Sequence, residues 1–110
     1  MEKQELSYSE RRNVFEQEKR TLCGIAELIE LCIKFKDGNM FYFYLTILKA
    51  IVESLRINAC IDESADNVAY FYAFKIACDY AEGKYIAASW RLGQLKRFIQ
   101  SEDFGNDDGR

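Results

Sequence analysis

The twenty residues from Asn39 to Asn58 read NMFYFYLTILKAIVESLRIN. After Asn39 their polar positions are Tyr42, Thr46, Lys49, Glu53 and Arg56, alternately four and three apart. A helix gathers such positions into one narrow wet stripe and leaves the rest of its circumference apolar. The opening Met40 to Tyr44 has strand propensity by itself, but it runs unbroken into Leu45–Arg56 with the stripe intact, which decides for helix. A surface helix needs only one apolar stripe, so this breadth predicts neighbours on two or three sides. The segment is therefore expected to be the central helix of a bundle, with Leu48, Ile51 and Leu55 on its dry side.

Three further helices are expected around it. Ser7-Tyr8-Ser9-Glu10 has the spacing of a capping box, so a helix should start there and run over residues 7–36. Tyr8, Phe15, Leu22 and Ile29 recur every seven residues along it. Its first half has a thin seam, with only Glu16 to Thr21 between Phe15 and Leu22, and is expected to overhang the bundle. Tyr8, Phe15 and Leu22 are then candidate contacts of a homodimer. Lys36-Asp37-Gly38-Asn39 should end this helix, Gly38 in the left-handed conformation and Asn39 as the next cap, so that helices 7–36 and 40–58 run antiparallel. Asp62 or Ser64 should cap a helix over 65–82, in which Ala69, Ala73, Ala77 and Ala81 permit close approach. Gly83 should close it before a helix over 84–100. Residues 1–6 lack periodicity and are expected to be frayed, and the acidic 101–110 segment is read as a disordered tail.

The fold class this implies is all-α, a four-helix bundle of two antiparallel hairpins, Ser7–Asn58 and Asp62–Gln100. Tyr80-Ala81-Glu82-Gly83-Lys84-Tyr85-Ile86-Ala87-Ala88 resembles the turn between paired helices in tetratricopeptide repeats, with Gly, an aromatic and an alanine in register. That one turn carries the resemblance, since residues 76–95 have neither the repeat's Leu-Gly pair nor its closing proline. What it implies is stacking of the two hairpins.

Composition narrows the function. With 110 residues, no proline and 49% hydrophobic residues, one globular domain is expected. The last ten residues carry four acids against Arg110 alone, which accounts for the whole net charge of −3, so residues 1–100 balance at 14 basic and 14 acidic. A neutral body has neither the field of a DNA-binding surface nor that of an acidic DNA mimic. Basic residues come in the pairs Arg11-Arg12, Lys19-Arg20 and Lys96-Arg97, without the aromatic interleaving of single-strand binders except near Trp90. Met1 to Arg20 is charged throughout and no apolar run approaches ~20 residues, which predicts a cytoplasmic protein outside the membrane. Cys23, Cys32, Cys60 and Cys78 form no C-x-x-C pair, and histidine is absent, so inert thiols are expected and no metal or cofactor.

Catalytic constellations are equally sparse. Without histidine there is no Ser-His, Cys-His or His-metal constellation, and Glu27, Glu30 and Lys34 read as a solvated helix face. Tyr42, Tyr44, Tyr70, Tyr72 and Tyr80 could line a ligand pocket, though amphipathic packing with hydroxyls at the surface accounts for them. The expectation is no enzyme but stoichiometric binding to another protein, as adaptor, chaperone-like subunit or inhibitor of the immunity type. A small-ligand or enzymatic site among the tyrosines is the alternative, and a nucleic-acid-binding regulator the next. On the last helix, Tyr85, Ala88, Leu92, Leu95 and Ile99 share one face, which makes it the core face. Ile86, Trp90, Gly93 and Arg97 align on the opposite side at ~100° per residue. Tryptophan and arginine are enriched in binding hot spots, so these four residues are the candidate partner site.

Overall fold

The computed structural model describes residues 7–105 as four helices: α1 (Tyr8–Phe35), α2 (Gly38–Ile57), α3 (Glu63–Ala81) and α4 (Tyr85–Gln100). The fold is all-α, with no strand among the described residues. The expectations for residues 1–6 and 106–110 lie outside the described residues.

The capping box forms as read: Ser7 Oγ accepts from the Glu10 amide, and a Glu10 carboxylate oxygen accepts from the Ser7 amide at 2.9 Å. That backbone hydrogen bond is the main reason the Glu10 pKa lies below its ordinary value. The next boundary differs by two residues. Lys36, with φ 56°, takes the left-handed cap in place of Gly38, and Asp37 rather than Asn39 caps α2 by accepting from the Met40 amide. The Lys36 and Asp37 amides donate to Ile33 and Cys32 carbonyls, closing the orphaned end of α1 within two residues. Asp62, not Ser64, caps α3, accepting from the Ala65 amide at 2.8 Å. Gly83 is left-handed, as expected, with φ 76°.

α1 packs on α2 and α4, and α3 packs on the same two helices, so the four form a closed ring. Phe41, Leu48, Leu55, Leu22, Ile76 and Leu95 fill its centre and are fully buried. Ala65, Ala69 and Ala73 carry the close approach of α3, whereas Ala81 is exposed. Ile51 lies at the edge of the core, half-buried, rather than within it. One further expectation changes. α2 has two main neighbours, within the two or three expected, but so has every helix of the ring, so α2 is not central, and its outer face is open: Phe43 and Ile57 are both exposed. The two hairpins pack on each other through both α1–α4 and α2–α3 contacts, which closes the ring.

The first half of α1 does not overhang. At 1.5 Å per residue its 28 residues span ~42 Å, comparable with the longest dimension of 45 Å. The shorter helices are supplemented by two connections. Ile61 is buried, and Cys60 Sγ lies 3.6 Å from the Arg11 carbonyl of α1. The residues read as the start of an acidic tail turn back instead: Phe104 is fully buried, stacked on Phe15 at 5.9 Å and edge-on to Phe98 at 5.7 Å. Gly105 lies so close that a methyl there would come 3.0 Å from the Phe15 ring. Leu22 is fully buried and Phe15 is held by Phe104, so of the three proposed dimer contacts only Tyr8 is exposed. One aromatic among acids was enough to supply the missing seam.

Leu48→Ala is therefore expected to cost ~2–5 kcal/mol of stability, and Ile51→Ala clearly less because its site borders solvent. Phe104→Ala should cost ~3–5 kcal/mol and speed amide exchange in the first half of α1. Urea midpoints and hydrogen exchange check both; a wild-type midpoint for Phe104→Ala contradicts the packing described.

Candidate functional site

α4 begins after Gly83 and divides sharply by side. Ala88, Leu92, Leu95 and Ile99 are at most 2% exposed, and Tyr85 is half-buried at the same face. On the opposite side Ile86 is 90% exposed and Trp90 61%. Arg97 is exposed and Gly93 half-buried on that side. The four candidate partner residues thus share one outward face, as helical spacing requires. A methyl on Gly93 would meet only the Arg97 guanidinium, at an ordinary 3.8 Å, so packing within the chain does not require glycine there.

The face is held in register by two contacts to α1. Lys96 Nζ donates to Glu27 at 2.9 Å, and Ser89 Oγ donates to Glu30 at 3.0 Å. The hydrogen bond to Glu27 is the leading reason the Lys96 pKa is raised. Glu27 and Glu30 accordingly act as tethers between helices rather than as a pair poised around a substrate. Exposed pairs of this kind contribute ~0–1 kcal/mol each, so they fix register more than stability. Lys34 does not pair with Glu30; its ammonium lies 5.8 Å from the centre of the Phe35 ring. An open groove of about 290 Å³ runs between α1 and α4, with Ile33, Tyr85 and Ile86 on its floor and walls and Lys34 and Lys36 at its rim.

The tyrosines are distributed differently from a pocket lining. Tyr80 is buried and stacks on Phe41 with ring centres 3.9 Å apart and planes 10° from parallel, leaving no space between the rings. Burial, above the effects of nearby Tyr85 and Tyr42, raises its pKa. Tyr72 packs on Phe98, and Tyr42 and Tyr70 are exposed. Lysines cover several rings: Lys19 over Phe15, Lys36 over Tyr85, Lys49 over Tyr70 and Lys75 over Phe71. Two of the four, Lys19–Phe15 and Lys75–Phe71, lie four residues apart on one helix, whereas Lys36–Tyr85 and Lys49–Tyr70 join residues distant in sequence and so leave no trace in its spacing. They are dispersed over four helices rather than gathered into a basic track. The thiols of Cys32 and Cys60 are raised in pKa chiefly by burial, and among the described residues no group of three metal-ligating side chains converges.

The reading missed other exposed apolar residues, among them Phe35 at 71%, Phe74 at 64% and Phe71. For Phe71 and Phe74 the signal was present in the breadth of the apolar arc on α3, and Phe35 is the last residue of α1. Trp90 is the only tryptophan, so its emission reports on the α4 face directly. The expected spectrum is red-shifted and strongly quenched by acrylamide in the free protein, and a blue-shifted, protected indole contradicts the site. No protein family, curated protein or solved structure matches the chain, so the function rests on this geometry alone.

Proposed function

We propose that the chain works by stoichiometric binding to another protein, through the outer face of α4. The observation that carries this reading is the joint exposure of Ile86 and Trp90 beside Gly93 and Arg97. Leaving an indole and a branched aliphatic chain in water forgoes burial worth ~1.5–3 kcal/mol for each aliphatic side chain, and covering them on binding recovers it. Gly93 lets a partner backbone approach, and Arg97 supplies a planar, multidentate donor beside it. Adaptor, chaperone-like subunit and immunity-type inhibitor all operate in this way, without turnover. The four free cysteines and the absence of a membrane-crossing helix among the described residues support a reducing, cytoplasmic setting. The close Phe41–Tyr80 stack favours packing over a tyrosine-lined ligand site, and the balanced charge of residues 1–100 favours protein over nucleic acid.

The test is differential capture from the native host, with wild-type and Trp90→Ala chains as baits, followed by titration of any protein retained by wild type. Trp90→Ala is expected to lower affinity by ~2 kcal/mol or more, roughly 30-fold, while the urea midpoint stays within ~0.5 kcal/mol of wild type. Equal retention by the two baits, or unfolding of Trp90→Ala, removes this site.

A further inference from the structure

We infer that the outer face shared by α1 and α2 is where two copies of this chain pack together, as a two-fold dimer. This surface is separate from the α4 face and does not depend on it.

On α1, Thr21, Gly24, Leu28, Leu31 and Phe35 recur three and four residues apart; on α2, Phe43, Ile47, Ala50, Ser54 and Ile57 do the same. That is heptad spacing, and neither run coincides with the buried seam of its helix; of the ten residues only Ile47 is half-buried, packed at the edge of the core, and the other nine are exposed. Each helix therefore carries a second seam. The two second seams adjoin. α1 meets α4 through Glu27 and Glu30, and α2 meets α3 through Arg56, bonded to Asp66, and Lys49, over Tyr70. At ~100° per residue the outer seams fall on the other flank of each helix, the flank turned towards its α1 or α2 neighbour. Neither contains a charge, although Leu28, Leu31, Phe35, Phe43 and Ile57 are all exposed.

Gly24 is an independent sign that something covers this face. Glycine weakens a helix interior relative to alanine, and here a methyl would meet nothing within 4 Å. No contact within the chain requires it. A requirement imposed from outside, close approach of another molecule, explains it.

The relief of the face selects the occupant. Only Lys36 and Asp37 separate α1 from α2, and Cys60, just past α2, touches Arg11 near the start of α1, so α2 returns along α1. Leu31, Phe35 and Phe43 then form a bulky end, and Thr21, Gly24, Ala50 and Ser54 a shallow stretch, bounded beyond Ser54 by the exposed Ile57 at the far end of α2. A two-fold axis in the interface, crossing the helices at the level of Leu28 and Ile47, turns the bulky end of each copy onto the shallow stretch of the other. Leu31 lies over the partner's Gly24, and Phe43 over the partner's Ala50. Such self-complementarity is what an isologous interface requires. Its size fits a weak, concentration-dependent contact: fifteen residues of each helix, ~22 Å long, and two helices, ~20 Å, wide give roughly 440 Å² per copy and about 900 Å² for the pair, below the range of permanent interfaces. A single foreign helix would cover about half of it. The uncharged surface offers nothing to select a foreign two-helix partner by charge, whereas the chain's own α1–α2 pair matches its relief.

Sedimentation equilibrium of the full chain over about 1–100 μM tests this, with dissociation in the micromolar range expected for wild type. Gly24→Leu fills the shallow stretch, and Leu31→Glu places a charge in the seam; each should weaken the dimer tenfold or more with an unchanged helical circular dichroism signal. Gly24→Leu raises helix propensity, so it remains informative even if Leu31→Glu fails to fold. Trp90→Ala should leave the dimer unchanged. A wild-type chain that is monomeric throughout, including one that takes up a foreign helix on this face, overturns the inference. So does a dimer that Gly24→Leu leaves intact or that Trp90→Ala dissolves.

Discussion

In a ring of four helices each member has two neighbours and one side facing the centre, so about half of its circumference can be dry. α2 exceeds that limit. Its core positions, Phe41, Leu45, Leu48, Val52 and Leu55, use one side, with Ile47 and Ile51 half-buried at its edge, and Phe43, Ala50 and Ile57 remain exposed on another. The same excess occurs on α1 at Leu28, Leu31 and Phe35, and on α3 at Phe71 and Phe74. Scattered apolar atoms on a surface require no explanation, but seams at heptad spacing without a charge do. The proposed α1–α2 contact is a consequence of this mismatch between helix composition and ring geometry, whereas the α4 face, which carries Arg97, rests on the exposure of Ile86 and Trp90.

The interior, by contrast, is ordinary. Its buried side chains are aliphatic and aromatic apart from the thiols of Cys32 and Cys60, with no buried polar or charged residue among those described. Polar contacts lie at the seams between helices: Arg91 to Asp79 at 2.7 Å ties α4 to α3, and Arg56 to Asp66 at 3.1 Å ties α3 to α2. With Lys96–Glu27 they place one ion pair at three of the four ring contacts. The half-exposed geometry makes each weak, but together they oppose sliding of apolar faces that have little other register. The α4 site inherits its position from this frame rather than from loops.

Most of the architecture was legible in the chain because it rests on periodicity and on caps. The capping box at Ser7, the left-handed Gly83 and the core face of α4 follow from residue type and spacing. What failed to follow involved competition between local signals or contacts distant in sequence. Gly38 and Asn39 have the propensities for the α1–α2 turn, yet Asp37 reaches the Met40 amide first and displaces both. Phe104 lies among Glu102, Asp103 and Gly105, so composition assigns it to a tail, while the partner that retains it, Phe15, is 89 residues earlier. The central-helix expectation failed for a simpler reason: apolar breadth reports how much surface a helix needs covered, not whether its own chain covers it. Ile86, Trp90, Gly93 and Arg97 were legible because a single helix decides which residues share its outer face.

Accessibility of individual side chains to a soluble paramagnetic probe, followed by NMR as protein concentration is raised, tests this account most directly. At the lowest concentration Ile86, Trp90, Leu31 and Phe43 should relax strongly, and Leu48 and Phe104 should not. Raising the concentration should protect Leu31 and Phe43 while leaving Ile86 and Trp90 accessible. If Ile86 and Trp90 are as protected as Leu48 in the free chain, or Leu31 and Phe43 stay accessible at every concentration, the exposed seams do not serve the contacts assigned to them.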